Sequence, residues 1–325
     1  MARYLVTGVA GFIGSHIAQE LIRQGHQVRG VDNFVAGSRE NMSEFADGLD
    51  FQEADICDPI AMQRACRGVD VVFHQAALAS VPRSVKDPIS TNDTNVNGTL
   101  NVLVAARDAG VKRVIYAASS SAYGDTPTLP KREEMLPVPI SPYAVSKLAG
   151  EHYMASFYRL YGLETVALRY FNVFGPRQAA DSPYSGVLAK FISQMLEGEQ
   201  PTIFGDGEQS RDFTYVENVV QANLRASTAP AEAAAGRMFN VALGERYTLN
   251  QMFSELKKII GYRGEPAFGP ERQGDVKHSH ADISLARQQL GYAPKVGFVE
   301  GLRRTVDWYR GQIEKMGAVA ASLNA

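Results

Sequence analysis

Up to Tyr170 the sequence alternates short β-branched runs with amphipathic stretches of helical length. Strands are expected at Tyr4–Thr7, Gln27–Asp32, Asp50–Ala54, Val69–His74, Arg113–Ala118 and Thr165–Tyr170. Between the first two, Ile13, Ile17 and Leu21 recur at helical spacing with Ala18 and Ile22 beside them, and Gly25 ends the pattern. Repeated β-α alternation needs crossover connections, which are right-handed, and it builds a parallel sheet covered by helices on both faces. The class expected is therefore α/β.

After Asn172 the character changes: glycine, proline and polar residues become frequent, and helices near Val187–Glu197 and Leu249–Ile260 alternate with loops. This predicts a sheet domain over residues 1–172 and a smaller lobe, built from 173–210 and 244–325, that closes over it. Segments near 211–243, a helix over Arg211–Ser227 and a strand over Met238–Val241, return to the first domain. The tail from Gly317 carries no apolar pattern and is expected to be disordered.

The chain of 325 residues balances 33 basic against 35 acidic side chains, for a net charge of −2. Such a balance argues against nucleic-acid or membrane-surface partners recognised by bulk electrostatics. Only Cys57 and Cys66 occur, which suggests neither a disulfide framework nor a zinc site. The histidines (16, 26, 74, 152, 278 and 280) form no metal set, and no metal is expected. Strand-like sequence from Arg3 and the lack of a long apolar run point to a cytoplasmic protein.

The first strand runs directly into TGVAGFIG, which opens the first helix. Gly8, Gly11 and Gly14 let the backbone turn tightly, approach phosphates and pack the helix on the strand, with Phe12 and Ile13 between them. Helix N-terminal N–H groups favour a pyrophosphate there. Asp32, ending the second strand, is placed to accept from both ribose hydroxyls of NAD and to repel a 2′-phosphate. Asn33 follows where an NADP enzyme would often carry Arg. NAD is the cofactor expected on a Rossmann-type doubly wound sheet.

Tyr143 and Lys147 stand four residues apart in the first turn of a helix opened by Pro142, so both project from one face. A free tyrosine, with a pKa of about 10, is a poor base at neutral pH. A nearby ammonium and the charge of an oxidised nicotinamide move it towards the working range. Ser119, at the end of the fifth strand, can share the substrate proton with Tyr143. Ser119, Tyr143 and Lys147 are the catalytic candidates.

These motifs, with HQAALASVPRS, TNVNGT, SSSAYGD, SPYAVSK, RYFNVFGPRQ, FGDGEQSRDFTYVEN and RQGDVKHS, cover nearly the whole chain. They resemble the extended short-chain dehydrogenase/reductases, and among them the UDP-N-acetylglucosamine 4-epimerases of bacterial polysaccharide pathways. The resemblance implies that C4 of a UDP-sugar is oxidised by tightly bound NAD, that the 4-keto sugar turns over, and that hydride returns to its other face. It also implies that Asp55 and Ile56 bracket the adenine and that Ala76, Ala77, Asn95 and Tyr170 lie on the cofactor side. Tyr170 and Phe171 fit the core equally well. Asn172, Arg211, Arg272 and Asp275 match positions that hold the diphosphate, sugar or uridine ribose, and Ser80 and Ser120 are further substrate-side candidates. A homodimer through a four-helix bundle, from helices near Ser90–Ala109 and Tyr143–Leu160, is implied as well.

Dehydratase and decarboxylase relatives carry an acid at the position of Ser120 or Ser121. Serine supplies neither the general acid nor the base that dehydration needs, which disfavours that branch. Epimerases restricted to plain hexoses tend to carry Tyr where this chain has Ser279, and Gln178 and Gly186 match other walls of the same pocket. An N-acetyl group is therefore expected to fit. UDP-glucose/UDP-galactose, UDP-glucuronate, another NAD-dependent dehydratase or oxidoreductase, and a non-catalytic NAD-binding module are the alternatives.

Overall fold

The computed structural model describes residues 2–179, 186–271 and 276–323. Seven strands form one sheet: β1 (Arg3–Thr7), β2 (Gln27–Asp32), β3 (Leu49–Glu53), β4 (Val71–His74), β5 (Arg113–Ser119), β6 (Glu164–Tyr170) and β7 (Arg237–Val241). Their order is β7-β6-β5-β4-β1-β2-β3, and every pairing is parallel. The order reverses between β1 and β4. A crevice opens there, at the carboxyl ends of the strands, where doubly wound sheets take their ligands.

Alternate side chains of the sheet feed two cores. Val6, Phe73, Ile115, Leu168 and Phe239 pack against helices α1 (Phe12–Arg23) and α6 (Val216–Thr228). Leu5, Val72, Val114, Tyr116 and Ala167 face the other way, onto α2 (Pro59–Cys66), α3 (Thr99–Asp108) and α4 (Pro142–Tyr161). A third core joins α5 (Val187–Leu196), α7 (Leu249–Ile260) and α8 (Phe298–Leu323), with Phe298 stacked on Phe213 and Tyr247 at its centre. No helix among the described residues is long and apolar enough to cross a membrane.

Two local expectations are corrected. The stretch Arg211–Ser227 is not one helix: Ser210–Arg211 pairs with Tyr247–Thr248 and Thr214–Tyr215 with Val173–Phe174, and the helix starts only at Val216. The reason is Asp212, whose buried carboxylate accepts from the N–H groups of Leu243, Gly244 and Ala281 and so holds the chain extended. The tail beyond Gly317 was expected to be disordered, and its backbone instead stays helical to Leu323. Ala318, Ala320 and Ala321 supply helix propensity there without an apolar pattern.

Helix α4 is fixed on the sheet by a buried bidentate pair, Arg169 Nε to Glu151 Oε1 at 2.8 Å and Nη2 to Oε2 at 2.7 Å. The two side chains are only 3% and 8% exposed, so removing one leaves the other charge uncompensated in the interior. Glu151→Ala is expected to cost about 3–5 kcal/mol, read as a lowered urea midpoint at unchanged slope. A loss below about 1 kcal/mol would show that the pair does not anchor the helix.

Candidate active site

Thr7 ends β1 and the chain turns at once. Gly8 has φ +70°, its N–H donates to Val31 O at 2.8 Å, and its carbonyl accepts from Gly11 N at 3.0 Å. A Cβ at Gly8 would lie 2.7 Å from Ala76 N, and one at Gly14 only 2.1 Å from Gly8 O. The loop thus closes over the helix start with no room for side chains, leaving α1 with its first N–H groups open to an anion. This cradle fits a dinucleotide pyrophosphate.

Two connected chambers flank the loop. The smaller, about 210 Å³, is lined by Gly8, Gly11, Asp32, Asn33, Asp55, Ile56, Ala76 and Ala77. Asp32 is buried, with Oδ2 accepting from Ala10 N at 2.9 Å and Oδ1 from Phe34 N at 2.8 Å. Burial raises its pKa, against the pull of those N–H groups. Each oxygen keeps a lone pair for a ribose hydroxyl. Asn33 Nδ2 donates to Asp55 Oδ2 at 2.8 Å, tying the tips of β2 and β3 together on the chamber wall.

The larger chamber, about 530 Å³, brings Phe12, Ile13 and Gly14 together with Ala77, Ser80, Tyr143, Lys147, Tyr170, Gln178 and Gly186. Burial raises the pKa of Tyr143, with the Ser119 hydroxyl opposing. Lys147 Nζ donates to Ala117 O at 2.9 Å and lies 5.0 Å from the Tyr116 ring centre. Burial pulls its pKa down to about 7, with the Glu151 carboxylate opposing. Tyr170 turns its hydroxyl to Gln75 Oε1 at 3.1 Å and to Asn223, so its ring forms wall and its oxygen is engaged. Phe171 is in the core against Tyr123.

Asn95, Ser120, Asn172 and Arg211 do not line these two chambers. Asn95 is buried, and its amide spans Leu78 N, Leu78 O and Ser146 Oγ at 2.8, 3.2 and 3.0 Å. It shapes the loop after β4 from beneath. Ser120 is half-buried beside Ser119, and the Ser80 hydroxyl accepts from Arg83 N at 3.1 Å. Asn172, at φ 31°, donates through Nδ2 to Asp212 O and to Ser279 Oγ, both at 3.3 Å. Arg211 donates to the carbonyls of Ser210 and Lys277 at 3.0 and 3.1 Å and lines a small hollow with Phe204, Gln209 and Lys277. Arg272 and Asp275 lie outside the described residues.

Two residues escaped the sequence reading. Arg83 lines both chambers. Its signal, a lone arginine in SVPRS, was there to be read. Asp212 ties the loop after β7 to the segment at Ala281, and burial pushes its pKa up to about 7 against the three N–H donors. An acid within RDF gives no local hint of partners so far along the chain.

The sequence model of the NAD dependent epimerase/dehydratase family matches residues 4–242. A putative UDP-glucose 4-epimerase of Methanocaldococcus jannaschii is 40% identical over 308 residues, covering 94% of this chain and 98% of its own. The UDP-N-acetylglucosamine 4-epimerase of Methanobrevibacter ruminantium, solved with UDP-N-acetylmuramic acid, superposes with a TM-score of 0.90 at 42% identity, over 96% of this chain and 99% of its own. The Thermus thermophilus UDP-glucose 4-epimerase, solved with NAD, gives 0.86 at 38% identity, over 95% and 99%. The chain belongs to the NAD-dependent epimerase/dehydratase family, and its cofactor is NAD.

Lys147 offers a test of the site's electrostatics. In the folded protein it loses its proton at about pH 7, but in the unfolded chain only near the ordinary 10.5. Between those limits the unfolded chain binds the extra proton, so stability rises with pH across that window. Urea midpoints of the cofactor-free protein from pH 7 to 10 are expected to show this slope, and Lys147→Met to flatten it. An unchanged slope in the variant would mean that Lys147 titrates normally.

Proposed function

We propose that this enzyme interconverts UDP-N-acetylglucosamine and UDP-N-acetylgalactosamine, and accepts UDP-glucose and UDP-galactose as well. It is a UDP-sugar 4-epimerase that works through a 4-keto sugar with no net redox change. The observation that carries the choice of sugar is Ser279. Its backbone N–H is held by Ser210 O at 2.9 Å and its hydroxyl accepts from Asn172 Nδ2, so a small side chain stands fixed beside the sugar-side residues. Gly186, close against Gln178, adds a second wall without bulk.

Bound NAD supplies the acceptor and donor of hydride at C4. Tyr143 Oη takes the proton from the sugar O4 as C4 is oxidised and returns it on reduction. Ser119 holds that oxygen by its own hydroxyl. Lys147 stabilises the phenolate and is in reach of the nicotinamide ribose. Asp32 anchors the adenosine ribose, and the TGVAGFIG backbone the pyrophosphate. Arg211 and Asn172 anchor the UDP-sugar, so that only the sugar turns. Serines at 120 and 121 leave no acid to expel a hydroxyl, which supports epimerisation over dehydration.

Purified protein is expected to carry NAD through gel filtration and to interconvert the two N-acetyl sugars without bulk NADH accumulating. Tyr143→Phe is expected to lower kcat by about 10²–10⁴. Ser279→Tyr is expected to lose about tenfold or more in kcat/KM on the N-acetyl sugars while keeping UDP-glucose. Equal losses on both sugars would remove Ser279 from the selectivity.

The functional unit we propose is a homodimer through α4 and the helical stretch ending at Asp108. Exposed Ile89, Val145 and Leu160 lie on these adjoining elements, at 74%, 53% and 71% exposure. Isolated apolar side chains need no explanation, but several on one helix pair mark an interface. Light scattering is expected to give a dimer mass, and Ile89→Asp a monomer. A monomeric wild type would refute the assembly.

A further inference from the structure

Arg177 has a backbone conformation that an arginine does not favour. It is the third residue of the turn 175–178, in which Gln178 N donates to Gly175 O at 3.4 Å, and its φ is +65°. A turn led by proline, here Pro176, ordinarily takes glycine at that place, because a Cβ opposes positive φ. Such strain persists only where the surroundings hold the residue firmly. At Arg177 they hold it through the side chain, which is only 8% exposed. Nη2 donates to Gln19 Oε1 and to Glu44 Oε2, both at 2.9 Å, and Gln19 Nε2 donates to the same Glu44 oxygen at 3.0 Å. The guanidinium carbon lies 5.7 Å from the Phe45 ring centre.

These partners belong to the cofactor side of the molecule. Gln19 stands on α1, the helix that opens at the glycine cradle, and Glu44 and Phe45 on the 3₁₀ stretch Arg39–Gly48 packed against it. One residue earlier a second tie runs to the same helix, with His16 Nε2 at 2.9 Å from Pro176 O. Burial lowers the pKa of His16 to about 4, so at neutral pH the ring is uncharged and carries its one proton on Nε2, where it donates to that carbonyl. Gln178 follows at once and lines the larger chamber with Phe12, Tyr143 and Lys147. Its Nε2 donates to Val173 O at 3.2 Å, and its carbonyl accepts from Tyr309 Oη of α8. Its Oε1 is buried and has no hydrogen-bond partner among the described residues.

We propose that Arg177 is a positioning residue for the UDP-sugar site, fastening the turn 175–178 to α1 and so setting the place of Gln178 in the chamber that Tyr143 lines. The inference rests on the epimerase reading given above. Arg177 itself lines neither chamber and acts only through its neighbour. A site residue carried on a loop is less precisely placed than one on a helix or strand, and two ties to α1 give this loop the support of a helix. With the guanidinium gone the turn keeps only the contact between His16 and Pro176. Gln178 can then shift, and a displacement of about 1 Å is enough to weaken the hold on a bound sugar.

Arg177→Gly separates this role from a merely structural one, because glycine accepts the positive φ while the guanidinium is removed. The purified variant is expected to keep its NAD through gel filtration and a urea midpoint close to that of the wild type. Its KM for UDP-N-acetylglucosamine is expected to rise about five- to tenfold, with kcat changed less than about twofold. Gln178→Ala is expected to raise KM to a similar degree. Adding Arg177→Gly to it is expected to raise KM by less than about twofold further, since both changes act at one contact. A wild-type KM in Arg177→Gly would overturn the proposal, as would a fall in kcat and midpoint at unchanged KM, or fully multiplicative effects in the double variant. A second readout needs no turnover: hydrogen exchange at the Gln178 amide is expected to quicken about tenfold or more in Arg177→Gly. An unchanged exchange rate would equally overturn it. If the wild type converts no UDP-sugar, the epimerase reading fails instead, and the exchange rate alone decides whether Arg177 fixes the turn.

Discussion

The close approach of helix α4 to strands β5 and β6 determines where the chemistry stands. Gly150 makes it possible: a Cβ there would lie 2.2 Å from the Tyr116 hydroxyl oxygen. With that space empty, Tyr116 Oη reaches Lys147 O at 3.4 Å and Lys147 Nζ reaches Ala117 O at 2.9 Å. One turn further on, Glu151 closes on Arg169 of β6. Tyr143 and Lys147 therefore sit on a helix fixed at successive turns to the strand that ends in Ser119. Catalytic geometry needs side chains held by packing and by further hydrogen bonds, and here the sheet supplies both.

The sugar side is organised differently, around a single carboxylate. Asp212 gathers the N–H groups of Leu243 and Gly244, in the loop after β7, and of Ala281, in the segment that carries Ser279. Asn172 then joins Asp212 O to Ser279 Oγ. The third core, around Phe298, backs this arrangement with stacked aromatic rings. A hub of backbone hydrogen bonds holds loops in register where no sheet runs.

What could be read in the sequence follows from this contrast. Most strands of the main sheet were legible because they are buried β-branched runs, and TGVAGFIG and Tyr143-x-x-x-Lys147 because their partners are close in sequence or follow from sheet topology. The stretch from Arg211 was misread because its period is helical from Val216 on, and nothing local shows that Asp212 pulls the preceding residues into short strand pairings. Asn95, assigned to the cofactor side through its motif, bonds through its amide to Leu78 and Ser146. It sits in a single π-helical turn, Asp93–Gly98, which no periodicity announces.

The electrostatics of the cleft explain why hydroxyls rather than further charges surround Tyr143. Burial raises the phenol and lowers the ammonium of Lys147, so the site favours the neutral form of both. Each charge is the other's natural compensation, and the pair ionises more readily together than either group alone. Another fixed cation would hold the phenolate but repel Lys147. A carboxylate would do the reverse, and Glu151, the nearest one, is already neutralised by Arg169. A serine hydroxyl escapes that conflict. It adds no net charge, it can turn with the proton, and it supports phenol and phenolate in succession. A reversible reaction in which Tyr143 must give back what it takes needs a neighbour of that kind.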